Sequence, residues 1–338
     1  MRIAVLFLLA GLAAATALIA WFGAGAIAAT LLTIGWGGFV LICGFHFCLI
    51  ALNGIAWHAL IPDSPRRWPV FVWARLVRTA AGDVLPLSQL GGPAAGIRLA
   101  ILHDVPGAMA AASVIVDVGI EFMSQLVYAV LGLLLLATRR PSADALLPAS
   151  LWLVIAIALC AAFIMSQRRG GRWIERLSPR IARHFSTAMP ATIEAITGAI
   201  ERVYARKRQL AFAAVLHSIE WLATGVEAWV TLRLMHVPVT LAAATGIEGL
   251  LYAVRSAAFM VPVAAGVQEG GYLLVGAAFG LAPDQALALS LLKRGRDLAL
   301  GLPALAGWQV LEGGEWWRRR NAGSKIEAVP ERRREPGD

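Results

Sequence analysis

The sequence is poor in cysteine and in charged residues. Only three of its 338 residues are cysteine, and Asp, Glu, Lys and Arg together make up 15%. Cys43, Cys48 and Cys160 all lie inside apolar segments. A disulfide framework needs several spaced cysteines, and a structural zinc site needs closely spaced Cys and His ligands. We therefore predict neither a disulfide framework nor a metal site.

The sequence also lacks the short motifs that carry nucleotide or hydrolytic chemistry. It contains no phosphate-binding loop of the GxxxxGK[ST] type, no HExxH pair and no Ser/His/Asp set on a soluble scaffold. Its glycine-rich stretches lack the strand–turn–helix context that a dinucleotide site requires. We predict that the protein is not an enzyme, has no catalytic residue and needs no cofactor.

Long apolar runs dominate what is present. Hydrophobic residues make up 59% of the chain, and several runs reach the roughly 20 residues that a helix needs to cross a bilayer. We predict an all-α, polytopic integral membrane protein with about six to eight transmembrane helices. The transmembrane domain is expected at 1–316, followed by a basic, disordered tail at 317–338. The net charge of +9 gathers in loops and near the C-terminus, which favours anionic lipid over nucleic acid as a partner.

Six apolar segments are predicted to cross the membrane completely. They are residues 3–21, 34–60, 107–137, 150–166, 209–234 and 284–311. The first could instead be a cleaved signal peptide, because Arg2 precedes it and an Ala-rich stretch follows Trp21, but its length favours a retained helix. His46 and His58 lie in the second segment. A buried histidine bonded to a backbone carbonyl is the commoner arrangement there than a pair of metal ligands.

Two further apolar segments, 68–104 and 246–281, are interrupted by proline and glycine. The interrupting residues are Pro86, Gly91, Gly92, Pro93, Pro262, Gly266, Gly270 and Gly271. Lipid cannot satisfy the free amides and carbonyls of a broken helix, so such backbone must be buried in protein or line a wet cavity. A cytoplasmic loop is the alternative for 68–104, but its composition is too apolar for a solvated loop. We predict two re-entrant pairs of half-helices.

Positive charge sets the expected orientation. Residues 167–208 hold ten Lys and Arg against three acids, which is typical of a cytoplasmic loop. Within them, Ile193, Ile196, Ile200 and Val203 lie at helical spacing, so we predict a helix lying on the inner surface of the membrane. Both termini are then cytoplasmic, and the two interrupted segments enter from opposite sides. That arrangement is typical of inverted-repeat transporters.

Acidic residues recur inside the predicted spans. Asp117 and Glu121 are i,i+4 and therefore share one helix face. They would repel each other unless a proton or cation lies between them or an arginine from a neighbouring helix pairs with them. Both alternatives are open. Glu220 and Glu227 lie seven residues apart and also share a face.

The last span carries four charges near its middle, Lys293, Arg294, Arg296 and Asp297. Helical spacing lets the single acid pair with one or two of the three bases. At least one positive charge should then be left over at membrane depth, where isolated charge is costly. Glu269 or an anionic lipid headgroup is expected to offset it.

The residues around these charges resemble a known family. The stretch 262–271, PVAAGVQEGG, followed by a Gly280-Leu281 link and by LKR at 292–294, is similar to the Pro–Gly–Gly–Glu signature of the lysylphosphatidylglycerol synthase transmembrane (flippase) superfamily. QEGGY at 268–272 together with KRGRD at 293–297 most resembles its hopanoid-biosynthesis-associated branch. The resemblance extends over nearly the whole chain in helix order.

This resemblance implies lipid translocation, because relatives move an amino-acid-modified phospholipid between leaflets. Residues 86–98 resemble the family's first broken motif, with Pro93 where many relatives have an acid, and Asp117 and Glu121 resemble its paired acids. The sequence ends at Asp338 with no aminoacyl-transferase domain after the membrane part. The resemblance therefore implies movement of a lipid made elsewhere, in a hopanoid-producing bacterium.

Two functions are compatible with the sequence. The first is a lipid transporter or flippase that works without nucleotide. Its expected substrate-binding residues are Gln268, Glu269, Lys293, Arg294, Arg296, Asp297, Arg98, Asp117, Glu121 and Glu220. The second is a non-transporting partner of hopanoid-biosynthesis proteins, in which these charges form structural ion pairs. Further expected partners are anionic lipids of the inner leaflet and a second copy of the chain.

Overall fold

The computed structural model describes residues 24–62, 64, 66–84, 88–139, 189–257 and 267–327. These residues form nine α-helices and no strand. The helices are α1 (Ala24–Ala59), α2 (Trp68–Val84), α3 (Ser88–Leu102), α4 (Gly107–Arg139), α5 (Met189–Ala205), α6 (Lys207–Leu234), α7 (Leu241–Ala257), α8 (Val267–Ala278) and α9 (Pro283–Glu327). The predicted all-helical class is confirmed for this part of the chain.

Several sequence predictions fall outside the described residues. They concern the spans 3–21 and 150–166, the basic residues 167–188, the interruptions at Pro86, Pro262 and Gly266, and residues 328–338.

Two of the described helices are long and apolar enough to cross a membrane, namely Ile34–Ala59 and Gly107–Arg139. They coincide with the predicted spans 34–60 and 107–137. The first begins at a kink in α1, where Gly35 has a φ of 68° and a ψ of 166°. Glycine tolerates this backbone conformation because it has no Cβ. The total number of spans and the re-entrant placement of the interrupted segments stay predictions.

Two apolar clusters hold the described helices together. One joins α1, α2, α3, α4 and α5 around Trp57, Phe71 and Leu99, each at most 1% exposed. The other joins α6, α7, α8 and α9 around Ile247 and Tyr272, both fully buried. Helix α1 contacts α2, α6 and α9, and α4 contacts α3, α5, α6 and α7. These contacts bring the charged faces of α2, α4, α6 and α9 into the interior.

Four glycines expected to interrupt the helices lie in the described residues and do not do so. Gly91 and Gly92 lie inside α3, as does Pro93, and Gly270 and Gly271 lie inside α8. A Cβ on Gly92 would sit 2.8 Å from the carbonyl oxygen of Arg78 in α2. Gly92 thus serves close packing of α3 on α2 rather than a backbone break, as small residues do at membrane helix interfaces.

The apolar stripe of helix α5 packs against another helix. The helix forms as expected, and Ile196, Ile200 and Val203 lie on its more buried face. That face packs against α4, and Val203 is 1% exposed in the first apolar cluster. The stripe therefore faces protein, because α4 offers an apolar partner. The position of this helix on the inner membrane surface stays a prediction.

The last helix is longer than predicted. Helix α9 continues to Glu327 instead of ending near residue 311, so the first part of the tail expected at 317–338 is helical rather than disordered. Residues 315–327 are rich in Glu, Arg, Lys and Ala, which have high intrinsic helix propensity.

We expect Gly54→Ala to destabilise the protein by about 1–3 kcal/mol, because overpacking a tight helix contact forces backbone shifts. A Cβ on Gly54 would lie 2.5 Å from the Cα of Val72. A Cβ on Gly44 of the same helix would meet no atom within 4 Å, so Gly44→Ala is the matched control. Thermal unfolding in detergent measures both. Equal melting temperatures for the two variants would contradict the packing argument.

Candidate functional site

Charged side chains are buried among the apolar helices. Those at most 8% exposed in the described residues are Arg75, Arg78, Asp117, Glu220, Glu227, Glu248, Glu269, Lys293, Arg294 and Arg296. A charge removed from water needs a partner of opposite sign or hydrogen bonds that replace hydration. The contacts of these side chains define four local sites.

The first is the arginine–acid cluster, formed by Arg75, Arg78, Asp117, Glu121 and His217. Asp117 is fully buried and accepts hydrogen bonds from Arg78 Nη1 at 2.5 Å and Arg75 Nη1 at 3.2 Å. His217 Nε2 lies 3.0 Å from its other oxygen. Arg75 also donates to Glu121 at 2.5 and 2.9 Å. Of the two alternatives for the paired acids, the structure has arginines of a neighbouring helix.

Helical spacing explains why these groups meet. Arg75 and Arg78 are i,i+3 on α2, and Asp117 and Glu121 are i,i+4 on α4, so each pair presents both charges on one face. His217 on α6 approaches Asp117 from a third helix. The cluster therefore ties α2, α4 and α6 together.

The second site joins α1, α6 and α9 around Glu227, which is 1% exposed. Arg296 Nη1 donates to one of its oxygens, and His46 Nδ1 lies 3.2 Å from the other. Arg296 also donates to Asp297 at 2.7 and 3.0 Å. His46 therefore contacts a carboxylate rather than the backbone carbonyl we expected. His58 does lie 3.1 Å from a backbone carbonyl, that of Arg66.

The third site lies between α7, α8 and α9. Glu248 is fully buried and accepts hydrogen bonds from Lys293 Nζ at 2.6 Å and from the Tyr272 hydroxyl at 2.7 Å. The ammonium group of Lys293 also lies 5.9 Å from the centre of the Tyr272 ring. A short ion pair, a hydrogen bond and a ring contact thus surround one buried carboxylate.

The fourth is the α8 site, made of Gln268, Glu269, Ser290 and Arg294. It has no contact shorter than 3.3 Å among its printed hydrogen bonds, whereas each of the other three sites has one of 2.7 Å or less: Arg294 Nε donates to Glu269 Oε1 at 3.3 Å, and Ser290 Oγ donates to it at 3.5 Å. Gln268 Nε2 reaches Ser290 Oγ at 3.4 Å. Gln268 Oε1 and Glu269 Oε2 are buried and accept no hydrogen bond from the described residues. The acceptors of this site are therefore the least satisfied of the four.

Acids on other helices offset the surplus of positive charge predicted within the last helix, and one of them is the expected Glu269. Each base has an acid on another helix: Lys293 contacts Glu248, Arg294 contacts Glu269, and Arg296 contacts Glu227. These acids stand 45, 25 and 69 residues from their partners. Spacing within a single helix gives no information about such distant partners, so only neighbours along α9 and one preceding segment could be considered from the sequence.

The structure does not bring all of the predicted site residues together. Arg98 donates to Glu312 at 2.7 and 2.8 Å and is 39% exposed in its side chain. Sequence reasoning missed Arg75, Arg78, His217, His46, Tyr272 and Ser290. The i,i+3 spacing of the two arginines in an otherwise apolar helix was the available signal for the first pair.

A family model described as the lysylphosphatidylglycerol synthase transmembrane region matches residues 8–304. The chain belongs to this family. The match covers most of the chain and contains all four sites. The protein is therefore a multi-pass membrane protein of a family concerned with lipid handling. A search of the curated proteins and a search of the solved structures each found no match.

Proposed function

We propose that the protein is a lipid transporter, or flippase, that moves a lipid with a polar headgroup across or within the bacterial inner membrane. The observation that carries this proposal is the set of four buried ionic sites inside apolar helices, in a chain whose family handles lipids. Ionisable groups at membrane depth are costly and mark transport pathways by default. The lipid changes leaflet without a change in covalent bonds, so the protein acts without catalysis or cofactor.

The α8 site is the proposed headgroup contact. Its long hydrogen bonds can be exchanged for ligand bonds at less cost than the short ones around Asp117 or Glu248. Two buried acceptors, Gln268 Oε1 and Glu269 Oε2, lack a donor among the described residues. Helix α8 begins at Val267, so its first amides and its dipole favour an anionic group beside them. The supported headgroup combines an anionic group with hydroxyl or amine donors, as a hopanoid or a modified phospholipid could.

A second candidate function has its own supporting observation. All three bases of α9 are matched by acids on other helices, and such a network can stabilise a fold with no ligand. In this candidate the protein is a non-transporting membrane partner that binds hopanoid-biosynthesis proteins.

Reconstitution into vesicles separates the two candidates. A transporter should expose inner-leaflet fluorescent lipid to a membrane-impermeant quencher faster than protein-free vesicles do. We expect Glu269→Gln to lower that rate at least about tenfold by removing a headgroup contact worth about 1.4 kcal/mol or more. Glu312→Gln, which removes an acid from the partly exposed pair with Arg98, is the matched control and should transport normally.

Native mass spectrometry of the gently purified protein identifies which lipid to use. If the bound lipid, once reconstituted, crosses no faster with the protein than without it, the transporter proposal is wrong and the scaffold candidate stands. If Glu269→Gln and Glu312→Gln lowered the transport rate equally, the α8 site would not be the headgroup contact.

We further propose that both termini are cytoplasmic, that the two halves form an inverted repeat, and that the protein self-associates in the membrane. The support for the orientation is the excess of Lys and Arg at 167–208. Single cysteines labelled with a membrane-impermeant reagent test it: periplasmic labelling at 206 would reverse the orientation. Labelling at positions 91 and 268 from the same side would contradict the inverted repeat.

A further inference from the structure

Glu220 stands apart from the ion-paired acids. It lies on α6 between His217 and Glu227, one turn from the first and two from the second, and is 8% exposed. Its side chain lies beside that of Asn53 on α1, which is 4% exposed. Glu220 Oε2 and Asn53 Oδ1 are both buried, and neither has a hydrogen-bond partner within the described residues.

Glu220 Oε2 and Asn53 Oδ1 can form a hydrogen bond with each other only if Glu220 carries a proton. An ionised carboxylate and an amide oxygen can only accept hydrogen bonds, so neither can satisfy the other. One proton on Glu220 Oε2 converts it into a donor that Asn53 Oδ1 can accept. The carboxylic acid and the primary amide then share two hydrogen bonds, with the Asn53 amide donating the second. A single proton thus removes two unsatisfied buried acceptors.

The charges of the adjoining arginine–acid cluster lead to the same result. The hydrogen bonds of Arg75 and Arg78 go to Asp117 and Glu121. His217 Nε2 contacts Asp117. Two guanidinium groups therefore match the two cluster acids, and neither donates a hydrogen bond to Glu220.

The ionisable groups that interact with Glu220 include Arg75 on α2, Glu121 and Tyr128 on α4, Glu227 on α6 and Tyr252 on α7. Arg75 is the base in this set, and its hydrogen bonds go to Asp117 and Glu121, while its buried Nε bonds no described group. On the other helices packed against α6, His46 of α1 and Arg296 of α9 are bound to Glu227, and Arg296 also to Asp297. Glu201 and Arg202 of α5 are exposed.

We propose that Glu220 is a proton-binding site: a buried carboxyl that holds one proton at neutral pH in a two-bond pair with Asn53. On the proposed transport function, this carboxyl exchanges its proton with water during each cycle, since the loss of the proton places an uncompensated negative charge beside Glu121 and Glu227. The protonation of Glu220 does not depend on transport, whereas the proton exchange during each cycle rests on the proposed transport function.

Infrared difference spectroscopy of the full-length protein in detergent tests the site directly. Subtracting the Glu220→Gln spectrum from the unmodified one at neutral pH should leave a band in the C=O stretching region of protonated carboxylic acids. Asn53→Ala should keep that band and move it to higher frequency, because the C=O loses its hydrogen bond. A difference spectrum that contains an ionised carboxylate band and no protonated band would overturn the proposal. A carboxylate band of Glu220 that shifts when sodium is added would overturn it as well.

Carbodiimide labelling provides a second measurement. Dicyclohexylcarbodiimide adds a protonated carboxyl across its C=N bond, with the acid proton moving to nitrogen, and it partitions into apolar surroundings. The peptide containing Glu220 should carry the adduct near neutral pH and lose it at alkaline pH, while Glu227 in the same helix, bound to Arg296, stays unmodified. Modification of Glu227 to the same extent would count against a special protonation of Glu220.

Transport measurements separate the protonation of Glu220 from its coupling to lipid movement. Glu220→Gln mimics the protonated acid and preserves both hydrogen bonds to Asn53, so it should fold normally and lose the pH dependence of lipid movement. A transport rate with unchanged pH dependence in this variant would remove the coupling role and leave the infrared result intact. A failure of the unmodified protein to move lipid would contradict the proposed function without touching the proton site.

Discussion

Replacing Asp117 by Asn should lower the free energy of unfolding by about 3–5 kcal/mol, the cost of leaving a buried charge without its partner. Asp117 is fully buried and contacts Arg75, Arg78 and His217 from two other helices. Asparagine keeps the shape but removes the negative charge, so two guanidinium groups are left to share Glu121. The melting temperature in detergent should fall by roughly 5–15 °C.

The matched control for this prediction is Asp104→Asn. Asp104 also pairs with an arginine, Arg66, but the side chains are 66% and 48% exposed. Exposed ion pairs contribute about 1 kcal/mol or less, so this variant should melt close to the unmodified protein. Similar melting temperatures for the two asparagine variants would mean that water reaches the arginine–acid cluster.

Arg296→Gln should be destabilising to a similar degree, about 3–5 kcal/mol. The substitution leaves Glu227, which is 1% exposed, with only His46 beside it, and also removes two hydrogen bonds from Asp297. The sequence left open whether this charge is matched by an acid or by a lipid headgroup, and the contact with Glu227 favours the acid. The measurement is again thermal unfolding of the purified protein.

The double variant Glu227→Gln/Arg296→Gln tests the reason for the loss. If the single variant suffers from an unpaired buried carboxylate, removing that carboxylate should restore much of the stability, and the two changes should be non-additive by more than about 1 kcal/mol. Additive losses would show that Arg296 and Glu227 act independently. A stable Arg296→Gln protein that no longer binds lipid would instead assign Arg296 to the headgroup.

The sequence by itself determined the class of the protein. Apolar runs of bilayer length predicted helices at 34–60, 107–137 and 209–234, and the structure has α1, α4 and α6 there. The stripe from Ile193 to Val203 predicted a helix, and the structure has α5 there. These predictions succeed because length, hydrophobicity and helical periodicity are properties of a continuous segment and need no knowledge of its neighbours.

The sequence also determined which charges share a face. The i,i+4 pair Asp117 and Glu121 acts as one unit, and the family signature around Glu269 and Lys293 pointed to the part of the chain where buried ion pairs occur. Arg98, by contrast, was predicted to bind substrate together with Asp117 and Glu121, and it pairs with Glu312.

Only the tertiary structure decided which charges meet. The partners of Glu227 and Asp117 come from helices 69 and 39 or more residues away, so their pairing depends on how the helices pack. Packing also decided that Gly92 closes a helix contact rather than breaking a helix. The protonation proposed for Glu220 has the same origin: the sequence contains the carboxyl, but only the packing of α1 against α6 sets it beside Asn53 and apart from every arginine hydrogen bond. A segment fixes its own periodicity, whereas the partner across an interface is fixed by the fit of two surfaces.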